Sequence, residues 1–249
     1  EIKNYAPSLV KYTDPTRYET ETYKDLRDMI KVSSSPEISN EVELIKYDEE
    51  FEENFVASII LKTTNLPFQD AKEKAKNLST EEKENIVKTS VKYLNPYDGL
   101  LREYESGGDF EFNILISATA FAQLKRHRLA SLIDGDYSPK LGVTIPPSIK
   151  EVGLENFFNE KIALVDEFYK KLDKNYLYSR DYILTNAHRK NVYFKCNFRE
   201  LVHVCRLRMD KHSQWDIRNI AFLMSKAVKN KYKFVGDFLT GKDAFSSLD

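Results

Sequence analysis

Residues 109–128, DFEFNILISATAFAQLKRHR, constrain the fold more than any other stretch of the chain. Phe110, Phe112 and Ile114 alternate with less apolar neighbours, the period-two pattern of a strand with one buried face. Gly107 and Gly108 stand just before the strand, and an apolar helix follows without a break. That helix ends in Lys125, Arg126, His127 and Arg128, side by side. Neighbours on a helix are about 100° apart, so Arg126, His127 and Arg128 cannot share one face, and at least one must reach across the helix end or into a loop. Taken alone, such cations offset the helix macrodipole and need no ligand. A second basic cluster meeting them would make a phosphate or pyrophosphate site, because guanidinium forks grip oxygens in pairs.

That second cluster lies in CNFRELVHVCRLRMDKHSQWDIR, residues 196–218. Arg199, His203 and Arg206 or Arg208 recur at helical spacing, so Arg199 and His203 share one face while Leu201, Val204 and Leu207 serve the other. One isolated histidine reads as a satisfied core or surface residue. Several basic groups, Asn197 and the sole Trp215 in one short stretch point instead to a site for an anionic, aromatic ligand.

The remaining elements follow from periodicity. VELIKY (42–47) alternates as a half-buried strand, and FEENFVASIILK (51–62) sets Phe51, Phe55, Ile59 and Leu61 near helical spacing. Ser79 and Glu82 fit a capping box opening a helix over 79–93. Leu154, Phe157, Ile162, Val165, Phe168 and Leu172 predict one long amphipathic helix beginning near Ser148, reached after a loop. VYFKC (192–196) reads as a short strand, followed by helices over 197–208 and 213–230. Residues 1–40, with SSSPEIS at 33–39, read as a loop or extension. Few strands and long helices give an α+β class.

Composition narrows the partners. With 249 residues, 41% of them hydrophobic and 31% charged, the chain can bury a substantial core and is not disordered. A net charge of −1 provides no global field for nucleic acid or an anionic membrane, so any anion site is local. Cys196 and Cys205 lack metal-ligand spacing and fit the reducing cytoplasm, and no apolar run is long enough for a membrane span. A cytoplasmic protein without a metal, nucleic-acid partner or membrane anchor is expected.

QLKRHR resembles the Gln-x-x-Arg-His-Arg signature of the flavin-dependent thymidylate synthases. NFRELVHVCRLRMDKHSQWDIR is similar to that family's C-terminal block of Asn-x-Arg, a downstream Asn or His, Leu-Arg, and His-Ala-Gln-Trp-Glu-Ile. The blocks match in order and separation, and VELIKY stands where the family domain opens, so the likeness covers residues 41–230. The resemblance implies a thymidylate synthase-like domain with long helices and a small antiparallel sheet over 41–235, between an N-terminal extension (1–40) and a C-terminal tail (236–249). It implies FAD bound in a homotetramer with shared sites. The reaction would convert dUMP to dTMP with methylenetetrahydrofolate as carbon donor and NADPH as reductant. Arg126, His127, Arg128, Asn197, Arg199 and His203 would hold the flavin. Gln123, Asp136, Ser138, Lys140, Arg180 and Arg208 would contact the nucleotide, with Ser138 and Arg208 in the catalytic roles. His127 and the arginines would stabilise negative charge on the reduced ring, and a fork suits the nucleotide phosphate better than an ammonium.

The chain departs from the family in two places. The segment RHRLASLIDGDYSPK aligns without a gap through Ser131, Ile133, Asp134, Asp136 and Ser138, or with two inserted residues through Asp136, Ser138 and Lys140. The second register is the more economical, but Lys140 then stands where the family has an arginine. Upstream, YDGLLREYESGG (97–108) replaces a stretch in which the family has His and Glu for the flavin. Three functions compete: thymidylate synthesis, an FAD-dependent relative acting on another pyrimidine nucleotide, and a non-catalytic flavin or nucleotide-binding protein.

Overall fold

The structure is a computed structural model that describes residues 2–10, 16–30, 40–95, 98–172, 176, 179–232 and 235–245. The loop expected at 33–39 lies outside them. Two compact units form, residues 1–37 and 38–249. The first contains α1 (Ile2–Tyr5) and α2 (Arg17–Met29), so part of what reads as a plain extension is helical. Glu, Lys, Leu and Arg, all good helix formers, explain α2.

In the second unit, β1 (Val42–Lys46), β2 (Asp109–Ser117), β3 (Ser131–Asp134) and β4 (Arg189–Asn197) form one antiparallel sheet in the order β1-β2-β4-β3. The α+β class and its small sheet are therefore present. β2 turns Phe110, Phe112, Ile114 and Ile116 inward, as its alternation predicts, and β4 does the same with Val192, Phe194 and Cys196. The third strand was missed: residues 131–134, read as loop, pair with β4. Nothing in SLID alternates, and its pairing comes from β4's free edge.

The helices are α3 (Phe51–Thr64), α4 (Phe68–Lys76), α5 (Thr80–Val91), α6 (Ala118–Leu124), α7 (Pro147–Glu151), α8 (Glu155–Lys171), α9 (Phe198–Arg208), α10 (Trp215–Lys229) and α11 (Lys242–Phe245). The capping box of α5 is complete, with the Glu82 N–H donating to Ser79 Oγ and the Ser79 N–H to Glu82 Oε2. Within α3, Phe51 and Phe55 are buried as expected, but Leu61 is exposed and Val56 and Ile60 take the inner face. The long helix expected from Ser148 is two helices. Gly153 adopts φ 71°, a left-handed conformation that ends α7 before α8 starts. On α8 only Ile162 is buried, while Phe157, Leu164 and Phe168, and Leu154 just before the helix, remain exposed.

An aromatic cluster closes the core where α3, α9 and the sheet meet. Phe51 lies 5.1 Å from Phe110 and 5.2 Å from Phe198, and Phe55 lies 4.8 Å from Tyr104, edge to face in each case. Gly107 must stay small, because a Cβ there would come within 2.7 Å of the Phe51 ring. Phe51→Ala should lower the unfolding free energy by about 3–5 kcal/mol. Leu61→Ala should change it by less than about 0.5 kcal/mol. Guanidinium denaturation of both variants checks the contrast, and equal losses would show that Phe51 is not part of the structural centre.

Candidate functional site

The two basic clusters meet because of strand register. β2 and β4 pair along their whole length, from Asp109 opposite Asn197 to Ser117 opposite Arg189. At the end of β2, Ser117 Oγ accepts from the Ala120 N–H and starts α6. Ser131 then pairs with Lys195, six residues further along β4 than Arg189 and so about 20 Å away. Thus α6 and the turn after it carry the chain along the sheet to the end at which β4 stops. There Asn197 Oδ1 accepts from the Glu200 N–H and starts α9. Residues 126–128 lie in the turn beyond α6, as their spacing requires, and face α9.

Between them is a cavity of about 550 Å³, within the range of about 300–1,000 Å³ usual for small-molecule sites. Arg126, His127, Arg128, Asn197, Arg199, His203 and Arg208 all line it. The 98–108 segment supplies Gly99, Leu100 and Glu105, and Leu129, Val202 and Leu207 add apolar wall. Leu207, expected on the face opposite Arg199 and His203, lines the cavity with them and is half exposed. Trp215 is not among the lining residues.

Five arginines face two carboxylates in this lining, and both carboxylates are engaged. Glu105 accepts from Arg199, and Glu200 is paired with His127 at 3.0 Å. Arg206 donates to the Asp98 carbonyl at 2.8 Å. Burial lowers the pKa of Arg208, as does its neighbour Arg126, yet a guanidinium remains a cation. Arg126 and Arg128 are exposed, with no partner among the described residues. The cavity is thus a local cationic site on a nearly neutral chain. Its donor set fits a dinucleotide cofactor: forks for a pyrophosphate, and an apolar wall for a ring.

His127 lines the cavity with its ring engaged within the chain. It is 5% exposed, and both ring nitrogens are used within the chain. Nδ1 meets Glu200 Oε1, and Arg208 Nε donates to Nε2 at 3.0 Å. His203 packs its ring edge on His127 with centroids 5.7 Å apart. Asn197 Oδ1 is committed as a helix cap, so its amide N–H groups are what it can offer the cavity. Sequence reasoning missed Glu105 and Glu200, since carboxylates in a cationic motif carry no anion-site signal of their own.

The other expected substrate residues lie elsewhere. Gln123 reaches the site only through its backbone carbonyl, which accepts from Arg208 Nη2 at 3.1 Å. Arg180 stacks on the Tyr169 ring at 4.8 Å, and the Tyr169 hydroxyl donates to Asp181. Burial raises the Tyr169 pKa, and the charges of Asp181 and Asp136 add to it while that of Arg180 opposes it. Ser138 Oγ accepts from the Lys140 N–H and starts a short 3-10 turn, Pro139–Leu141. None of Asp136, Ser138, Lys140 and Arg180 lines the cavity within this chain. Asp134 is ion-paired with Lys190, which sits 4.1 Å from the Tyr137 ring centroid. Both cysteines are buried; burial lifts Cys205 to about 12 and Cys196 well above its ordinary value, so neither offers a thiolate. Among the described residues, no helix is long and apolar enough to cross a membrane.

This geometry defines a class, an α+β domain with a cationic cavity built where two strand–helix units converge. The chain belongs to the thymidylate synthase complementing protein family, which matches residues 43–232. A flavin-dependent thymidylate synthase of Saccharolobus solfataricus is 34% identical over 133 residues, covering 46% of each chain. A UPF0159 protein of Chlamydia muridarum is 27% identical over 141 residues, 57% of this chain and 26% of that one. The chain therefore spans less than half the length of these relatives. The crystal structure of a UMP/dUMP methylase, PolB from Streptomyces cacaoi bound with 5-Br dUMP, is similar in fold. It has a TM-score of 0.59 at 15% identity and covers 83% of this chain and 94% of that one.

Partial burial of the His203 ring lowers its pKa, and the nearby cations act in the same direction. The folded state then holds fewer protons than the unfolded chain, so this group makes folding less favourable as pH falls through about 6.5. An NMR titration should place the His203 midpoint below about 6.5, and adding pyrophosphate should raise it. A midpoint unmoved by pyrophosphate would show that the anion does not enter this cavity.

Proposed function

We propose that this chain is the FAD-binding domain of a nucleotide methyltransferase, converting dUMP to dTMP with methylenetetrahydrofolate as carbon donor and NADPH as reductant. The observation that carries the reading is the convergence of Arg126, Arg128, Arg199, Arg206 and Arg208 on one cavity, within the residues matched by a family whose relatives include flavin-dependent thymidylate synthases. FAD, when bound, supplies the hydride that completes the new methyl group. Arg126, Arg128 and Arg199 would hold its phosphates, Asn197 and His203 would donate hydrogen bonds to it, and Leu100, Leu129, Val202 and Leu207 would exclude water. With both thiols held protonated, no cysteine nucleophile takes part.

Arg208 serves the nucleotide from the cavity, its Nη2 held by the backbone carbonyl of Gln123, the residue that the resemblance assigns to the uracil edge. None of Asp136, Ser138, Lys140 and Arg180 lines the cavity, which fits a homotetramer in which one protomer's loop completes another's site. Ser138 keeps its hydroxyl proton to donate there, since Oγ accepts within the chain. The pairing of Asp134 with Lys190 favours the register that places Asp136, Ser138 and Lys140 at the substrate. A cytoplasmic location goes with this chemistry.

A second reading, action on another pyrimidine nucleotide, draws on Lys140. A compact ammonium cannot grip two oxygens as a fork does, so substrate choice at that loop can differ from the family's. A third, a flavin-binding protein without turnover, predicts bound flavin and no product.

Purified protein should be yellow and should form thymidylate from dUMP, methylenetetrahydrofolate, FAD and NADPH under anaerobic conditions. Bound flavin with UMP as the better acceptor would support the second reading, and flavin without any methylated product the third. Colourless protein that takes up no FAD would overturn all three. Arg199→Ala should weaken flavin retention by about tenfold or more while Arg208→Ala acts mainly on dUMP affinity. Equal effects of both on both ligands would contradict the division of roles.

A further inference from the structure

Arginine Nε carries one hydrogen and never accepts, so the 3.0 Å bond from Arg208 Nε to His127 Nε2 requires a lone pair on Nε2. The ring proton is then on Nδ1, aimed at Glu200 Oε1 at 3.0 Å. Glu200 is 4% exposed and His127 5%. The carboxylate is held in place from its own backbone, because Asn197 caps the Glu200 N–H at the start of α9. A buried carboxylate is thus joined through an imidazole to a guanidinium that faces the cavity. With Nε bound to His127 and Nη2 to the Gln123 carbonyl, the fork of Arg208 is held at two of its nitrogens in the cavity wall.

We infer that Glu200 is a positioning residue: it holds His127 in the Nδ1–H tautomer, so that Nε2 accepts from Arg208 and fixes the guanidinium for an anionic nucleotide. His127, although it stands in the centre of the Arg-His-Arg motif, then acts on Arg208 and not on the flavin. The inference rests on the reading of Arg208 as a nucleotide ligand, but its tautomer can be tested without any ligand. The chain has four histidines, and buried His188 provides an internal standard of the opposite kind. The Thr185 backbone N–H donates to His188 Nδ1, so the His188 proton is on Nε2, towards Asp166 at 2.8 Å.

The experiment is a long-range nitrogen–proton spectrum of the histidine-labelled protein, with His127 identified by its loss in His127→Asn. His127 should appear as the Nδ1–H tautomer and His188 as Nε2–H. In Glu200→Gln the amide can donate to Nδ1, so His127 should shift towards Nε2–H while His188 stays unchanged, and dUMP affinity should fall about tenfold with flavin retention within about twofold. His127→Asn keeps a donor for Glu200 but does not reach Arg208, so it should show the same split if Glu200→Gln fails to fold. A His127 that is Nε2–H or doubly protonated in the unaltered protein would overturn the inference, as would a His127→Asn protein that loses flavin more than dUMP. If the tautomers are as expected but unaltered protein binds no dUMP, the nucleotide role of Arg208 fails and with it the function of the device, while the relay geometry stands.

Discussion

The full-length pairing of β2 with β4 is the constraint on which the site depends. Because the two strands run antiparallel, the helices that follow them begin at opposite ends of the ladder, one at Ser117 and the other at Asn197. The chain after β2 returns along the sheet before β3 pairs at Ser131, and this return places the 126–128 turn against α9. A slip of one residue in the ladder would turn Phe110, Phe112 and Ile114 out of the core. The apolar pattern that fixes the fold therefore also fixes the offset between the two basic clusters.

Charge in the cavity is concentrated locally against a nearly neutral whole. Arginines are brought together at a cost that is offset by partners which leave most of the forks usable: Glu105 on Arg199, the Asp98 carbonyl on Arg206, and the imidazole of His127 on Arg208. Glu200 differs from Glu105 in being almost wholly buried, where an unpaired carboxylate would be strongly unfavourable. Its pairing with His127 removes that penalty and orders the ring. The chain belongs to the thymidylate synthase complementing protein family, and its fold is similar to that of a UMP/dUMP methylase.

Much of this was legible in the chain itself. The alternation of β2, the capping box at Ser79 and the helical spacing of Arg199 and His203 are short-range patterns, set by backbone periodicity, and each appears where the pattern puts it. Elements whose stability comes from elsewhere were not legible. β3 forms because β4 has an edge to pair, and the amphipathic stretch from Ser148 reads as unbroken although one glycine divides it into α7 and α8. Leu61 and Leu207 fall on apolar stripes yet stand open, since a stripe marks which side is apolar and not how far the core extends.

The sequence by itself determined the strand–helix units, their caps and the residue types of the two basic clusters, because each depends on neighbours within a few positions. Only the tertiary structure decided that Arg208 is tied to His127 and His127 to Glu200, while Asp136, Ser138, Lys140 and Arg180 lie apart from the cavity. Those relations join residues more than seventy positions apart, or separate residues that one motif groups together, and they are set by strand register and by the need of buried polar groups for partners.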